Sequence, residues 1–326
     1  MKEDGGRRSW GKLAPMRILV LAVSLGIVAC GAGGGHSRSP NGLSAEQIDA
    51  DPMALLPSSP LAVANVDARA FYSSGSVGAQ LAAVSERALP IGADAGFEAS
   101  RDVDRVVVAA YSAQGADVVA VVSGRFDERK IEQAAQSQTT RSGGAAAESD
   151  YAGHHVFTVG GSGFTILTPK TALAGTQAAI RRALDRLHDG TTKRDLPQWM
   201  QDTLSTPNAA AALVVDLAQP TTSLAVGSFQ LSFAKGLTTV RALADFKPPG
   251  MHFAGTMTYA DAQAAASASS GLKQAVTMEG IVALTGLAPR LQDVDVSTTD
   301  SNVQVSMAVD DQDMTKLVTL LPKLVH

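Results

Sequence analysis

Cysteine occurs once in this chain of 326 residues, at Cys30, so no disulfide can form within one copy. Histidine is also scarce. Apart from the adjacent pair His154-His155, the six histidines offer no His-x-x-x-His or His-x-x-Glu spacing, so no metal chelate is assigned. Basic residues are outnumbered, 27 Lys and Arg against 31 Asp and Glu, and they form no stripe that could displace counterions from phosphates. That balance argues against a nucleic-acid partner. Aromatic side chains are few, with two Trp, four Tyr and nine Phe, and Ala, Val and Gly carry much of the composition.

Nor does any apolar run reach the roughly 20 residues needed to span a bilayer. The longest, Ile18 to Ala29, is about a dozen residues, follows the basic residues Arg7, Arg8, Lys12 and Arg17, and ends at Cys30 and a glycine-rich stretch. Ile27-Val28-Ala29-Cys30 resembles the bacterial lipobox, in which small residues admit the signal peptidase and the cysteine sulfur takes a diacylglyceryl group. The resemblance implies a signal peptide over residues 1–29, lipidation of Cys30 as the one site residue, and a membrane contact through that lipid. An acylated Cys30 leaves no free thiol for redox or nucleophilic chemistry. The alternative is that Cys30 ends an ordinary signal or an uncleaved anchor. Arg7-Arg8-Ser9-Trp10-Gly11-Lys12 resembles a twin-arginine export motif; otherwise the pair is plain leader charge, or translation starts at Met16. Gly31 lacks the Asp that favours inner-membrane retention in enteric bacteria. The expected location is therefore the outer membrane of a bacterial envelope, with the folded part in the periplasm or at the cell surface.

Without the leader the chain loses five of its basic and two of its acidic residues and carries a net charge of −7. Residues 30–43 contain little to bury and read as a tether with an r.m.s. span on the order of 20 Å. Order is expected from Ser44-Ala45-Glu46-Gln47, a capping box, and Asp51-Pro52, an N-cap and N1 pair.

The remaining sequence reads as two similar α+β units, 44–207 and 208–326. Leu61 to Asp67 is a strand ending in Asp, and Ala211 to Asp216 repeats it. Val-rich strands at Arg105 to Tyr111 and Asp117 to Val122 lead to a helix capped by Asp127, as Met251 to Tyr259 leads to one capped by Asp261. A hairpin of Val156 to Val159 and Phe164 to Leu167 precedes a helix with Ile180, Ala183, Leu184 and Leu187 on one face. Its expected counterpart is Val294 to Val296 with Val303 to Met307, followed by a helix with Met314, Leu317, Val318 and Leu321. On this reading the Phe164 strand matches the Val303 strand, and the Ile180 helix the Leu317 helix. The segment from Thr221 to Pro249 lacks a clean Val-rich strand like Arg105 to Tyr111, so the second unit is expected to be the less regular one. Hairpins followed by helices predict antiparallel sheet with helices packed on one face.

The early strand Leu61 to Asp67 and Tyr151-Ala152-Gly153-His154-His155 before the hairpin resemble duplicated lipoproteins of unknown function from bacteria with large envelope proteomes. The resemblance runs from about residue 55 to the C-terminus. It implies a fold and a location, and no reaction.

Candidate chemistry is thin. Ser232-Phe233-Ala234-Lys235 and Ser270-Gly271-Leu272-Lys273 fit Ser-x-x-Lys, without the Ser-Asp-Asn or Lys-Thr-Gly partners of penicillin-recognising enzymes. His154 and His155, if extended, point to opposite faces and cannot close on one ion. Asp67 and Asp216 could form a carboxylate pair if the units faced each other; otherwise each accepts backbone N–H bonds at the turn after its strand. Gly160-Gly161-Ser162-Gly163 lacks the Lys-Ser/Thr of a phosphate loop and reads as a hairpin turn. No catalytic, cofactor or metal site is assigned. The function expected is a non-catalytic envelope lipoprotein that binds an envelope protein, a peptidoglycan component or a small ligand. The alternatives are a hydrolase with dispersed site residues and a lipid-carrying module with an apolar cavity.

Overall fold

The computed structural model describes residues 43–88, 92–112, 117–141, 146–218, 225–226, 229–230, 232–248, 250–283, 291–316 and 318. The leader, Cys30, nearly all of the tether, Leu317 and Leu321 lie outside the described residues. Chain order begins as the sequence predicts: the Ser44 hydroxyl and the Gln47 side chain exchange bonds with each other's backbone in a capping box on α1 (Ala45–Ala50). A 3-10 turn, Pro52–Leu55, follows.

The first half then runs β1 (Ala62–Asp67), α2 (Ala68–Tyr72), α3 (Gly75–Ala88), α4 (Gly92–Ala95), α5 (Ala99–Asp102), β2 (Val103–Ala110), β3 (Val118–Gly124) and α6 (Glu128–Arg141). It continues through β4 (Ala146–Tyr151), β5 (His154–Val159), β6 (Ser162–Thr168), β7 (Thr171–Thr176), α7 (Gln177–His188) and α8 (Gln198–Leu204). The second half contains β8 (Ala211–Asp216), the two-residue strands β9 (Ala225–Val226) and β10 (Phe229–Gln230), β11 (Leu237–Lys247) and β12 (Gly250–Tyr259). After these come α9 (Ala262–Ala283), β13 (Leu291–Thr299), β14 (Asn302–Asp310) and a helix α10 over 311–316.

All strands but β9 and β10 join one sheet of 12, in the order β13-β14-β12-β11-β8-β1-β2-β3-β7-β6-β5-β4, and every pairing is antiparallel. The fold is α+β. From the central β1–β8 pair outward, β1-β2-β3-β7-β6 and β8-β11-β12-β14-β13 follow the same chain order. The central pair is itself symmetric: Asp67 N donates to Ala210 O, and Asp216 N donates to Leu61 O. Asp127 and Asp261 likewise cap equivalent helices, accepting from Lys130 N at 3.2 Å and from Ala264 N at 2.7 Å.

Sheet position corrects two of the expected correspondences. β14, which carries Val303, lies beside β12 as β7 lies beside β3, so the Phe164 strand β6 occupies the place of β13 instead. The sequence reading skipped β7 and β4 because Thr171-Ala-Leu-Ala-Gly-Thr and Ala146-Ala-Glu-Ser-Asp-Tyr carry few β-branched or aromatic side chains. Glu148 and Asp150 on β4 are the charges expected on an edge strand. The final helices also part company. α7 packs on the face of β3 that carries Val119 and Val121, whereas Met314 of α10 and Val318 pack with Val77, Leu81, Met251 and Val309 on the opposite face of the sheet.

Helices therefore cover both faces in the first half. Val118, Ala120 and Val122 lie beneath α2, α5 and α6, while Val119 and Val121 meet α7, so β3 is buried on both sides. In the second half, α9 and α10 cover one face, through Met257, Tyr259, Val296 and Val303 under α9 and Met251 and Val309 under α10. There the described helices of the second half lie on one face, as expected, while α8 from the first half touches the other face over β8 and β11.

The turn at Ala152-Gly153 between β4 and β5 has φ +50° and +81°, the double left-handed geometry of a type I′ hairpin. Alanine in that region is strained by roughly 1 kcal/mol. Ala152→Asn, which supplies the favoured Asn-Gly pair, is expected to raise stability by about 1 kcal/mol. The check is the thermal midpoint, and an unchanged or lower value would count against it.

Candidate functional site

None of the residue pairs suggested by sequence assembles a reactive centre in the described structure. Because β1 and β8 run antiparallel, Asp67 and Asp216 sit at opposite ends of the pair, six residues or about 20 Å apart. Each instead serves the turn after its strand: Asp67 Oδ1 accepts from Ala70 N at 3.0 Å and Asp216 Oδ1 from Ala218 N at 3.0 Å. Ser270 is exposed on α9, where its hydroxyl donates to Ala266 O. The side chain of Ser232 lies outside the described residues.

His154 and His155 point to opposite sides of β5. His154 is half-buried, and that burial, aided by the charge of His155, lowers its pKa. His155 is exposed, with Nδ1 2.7 Å from Asp150 and 3.5 Å from Glu148. Among the described residues no cluster of His, Cys, Asp and Glu is arranged to hold a metal ion. Gly160 and Gly161, at φ +58° and +86°, form the two-residue turn between β5 and β6.

A cleft lies elsewhere, on the face of the second half opposite α10. On the α7 side of the sheet, apolar packing continues through Val63, Ala212 and Val214 and reaches Leu243 of β11. Beyond Leu243 the same face turns polar. Register places Arg241, Thr256, Gln304 and Ser297 in one row across β11, β12, β14 and β13, and Leu243, Ala254, Ser306 and Asp295 in the next. Helix α8 and the turn after it raise one wall, with Asp202, Thr203 and Thr206 facing the floor. The cleft encloses about 520 Å³. It adjoins a second hollow of about 400 Å³ that extends past Thr206, Leu243, Ala254 and Ser306 to His252 and Asp293.

Local chemistry explains how the wall stands. The Thr203 hydroxyl donates back to Trp199 O at 2.9 Å, Thr206 donates to Thr203 O at 2.8 Å, and Gln198 holds Asp202 Oδ1 at 2.7 Å. Arg241 lies across the indole of Trp199, with its guanidinium carbon 5.0 Å from the ring centroid. This cation–π contact fixes the guanidinium without consuming its hydrogen-bond donors. In the adjoining hollow, Lys247 pairs with Asp245 at 2.8 Å, and His252 Nε2 is buried without a hydrogen-bond partner.

Sequence reasoning caught the alternation of Met251 to Tyr259, whose His252, Ala254, Thr256 and Thr258 form part of this face, but it missed Arg241, Trp199, Gln304 and Ser297. A signal for Arg241 was present. Leu237–Lys247 alternates Val240, Ala242, Ala244 and Phe246 against Thr239, Arg241, Leu243 and Asp245, a period of two that marks an 11-residue strand.

No protein-family model and no curated protein matches the chain. Three crystal structures of a protein designated TP0453 are similar in fold at low identity. Crystal form III gives a TM-score of 0.49 at 10% identity, covering 84% of this chain and 98% of that one. Form I gives 0.47 at 10%, covering 84% and 97%, and form IV gives 0.45 at 8%, covering 83% and 96%.

Proposed function

We propose that this protein is a lipid-anchored lipoprotein of the bacterial cell envelope whose folded part is a non-catalytic binding module. The observation that carries the binding role is the open polar cleft around Arg241. It has a volume in the range of ligand sites, a guanidinium held ready by Trp199, and hydroxyl, amide and carboxylate groups converging on it. The alternative, a hydrolase with dispersed site residues, would be favoured by a pocket holding Asp67 or Asp216 beside a Ser, Lys or His. Each carboxylate is instead engaged by the backbone of its own turn.

The anchor rests on the sequence pattern from Ile18 to Cys30, with residues 31–43 as tether and the outer membrane as the favoured location. Among the described residues no helix is long and apolar enough to cross a membrane. Metabolic labelling with a fatty-acid analogue is expected to mark the wild-type protein and leave Cys30→Ser unmarked, with unprocessed precursor accumulating. Equal labelling of the two would overturn the anchor.

A further inference from the structure

We propose that the cleft around Arg241 binds a neutral oligosaccharide, laid across the strands between α8 and β13. This inference deepens the binding-module reading and rests on it.

The equivalent face of the first half is apolar and closed by the chain's own α7, with Ile180, Leu184 and Leu187 on Val119 and Val121. In the second half the closing helix goes to the other side, and the face that the described residues leave uncovered carries Arg, Thr, Gln, Ser and Asp where the first half has Val and Ala. Such a face cannot be covered by an apolar helix without stranding its polar groups. The lining therefore selects a polar occupant.

Charge then narrows the class. Asp202 on the α8 wall and Asp295 at the β13 end of the floor line the cleft with Arg241, so carboxylates outnumber the cation and a phosphate or polyanion is repelled. A lipid chain or apolar peptide finds only the side chains of Leu243 and Ala254 among hydroxyl and amide groups, because Val305 turns its side chain to the α9 face. A neutral polyhydroxyl ligand uses both kinds of group at once. Its hydroxyls donate to Asp202 and Asp295 and accept from Arg241 and Gln304, while Thr256 and Ser297 can do either. The small side chain of Ala254 keeps the floor low enough beside Thr256 for a ring to lie flat. At about 4.8 Å per strand, the four strands from β11 to β13 span roughly 15 Å, room for a short run of sugar rings.

The chain carries two tryptophans, Trp10 in the leader and Trp199 in the cleft wall. The full-length protein with Trp10→Phe, purified in detergent, therefore reports the cleft through the emission of Trp199 alone. Titration with fully N-acetylated chitotetraose, which is uncharged, is expected to give a saturable change in that emission. Gln304→Ala and Asp295→Ala, both at exposed positions, are each expected to weaken the apparent affinity about ten-fold while circular dichroism and the thermal midpoint stay as in the parent. Inorganic phosphate and tetraglutamate serve as anionic probes. If they change the emission and chitotetraose does not, the oligosaccharide class is overturned and the cleft still stands as a binding surface. Silence with every probe, or a chitotetraose response untouched by both substitutions, also overturns the inference. Labelling at Cys30 tests the anchor separately and is unaffected by any of these outcomes.

Discussion

Leu184→Ala is expected to lower the unfolding free energy by about 3 kcal/mol. Leu184 belongs to a stripe on α7, with Ala179, Ile180, Ala183 and Leu187, in which every side chain is at most 1% exposed. The stripe arises from helical periodicity in Gln177–His188, and the Thr176 hydroxyl starts the helix by accepting from Ala179 N. It sits on Val119, Val121 and Leu173 and is closed from the other side by Leu55 and Leu56 and by Met200 of α8. Truncation there removes packing on several fronts at once, and the surrounding strands are too constrained to collapse into the space. Urea unfolding measures the loss, with Ser297→Ala at an exposed position expected within about 0.5 kcal/mol of wild type. A loss below 1 kcal/mol for Leu184→Ala would mean that α7 is not the clamp on this face.

The second large effect is on pH dependence. Glu132 on α6 is only 3% exposed, and its Oε2 has no hydrogen-bond partner. Burial pushes its pKa up to about 7, with the negative charges of Glu128 on its own helix and Glu148 on β4 adding to the rise and His155 on β5 opposing it. Because the folded value lies above the unfolded one, Glu132 takes up a proton on folding. Its contribution is fully present below the ordinary carboxylate value of 4.5 and is lost as pH rises through about 7. The loss between pH 5 and 8 is expected to be on the order of 2 kcal/mol. Glu132→Gln, which cannot ionise, should be less dependent on pH over that window by this amount. Urea midpoints of both proteins at pH 5, 6, 7 and 8 provide the comparison. Parallel curves would remove Glu132 as the source.

Much of the scaffold was legible because its signals are local. Val-rich alternation marks β2 and β3, the apolar stripe from Ile180 to Leu187 marks α7, and Asp127, Asp261 and Ser44 announce the helices they cap. Edge and cover strands were harder. Apart from Tyr151 and Leu173, β4 and β7 are built from Ala, Ser, Gly, Thr and acidic residues, and they are strands because a neighbour supplies the other half of each hydrogen-bond ladder. That partner is distant in sequence for β7, which pairs with β3 on one side and follows β6 on the other.

The candidate cleft was less legible still. Asp67 and Asp216 recur at matched positions, which made them look like a pair, yet antiparallel pairing of β1 with β8 sends them to opposite ends. Arg241, Thr256, Gln304 and Ser297 come from four separate strands and share no motif; cross-strand register alone sets them side by side. The sequence by itself determined which residues alternate, which helices start where, and that one cysteine follows an apolar leader. Which face of the sheet each helix covers was decided only in the tertiary structure. That choice depends on where the connection after β7 or β14 can reach and on which face still has apolar surface to bury, and these are properties of the assembled sheet. Among the described residues, placing α10 opposite to α7 is what leaves the polar face open.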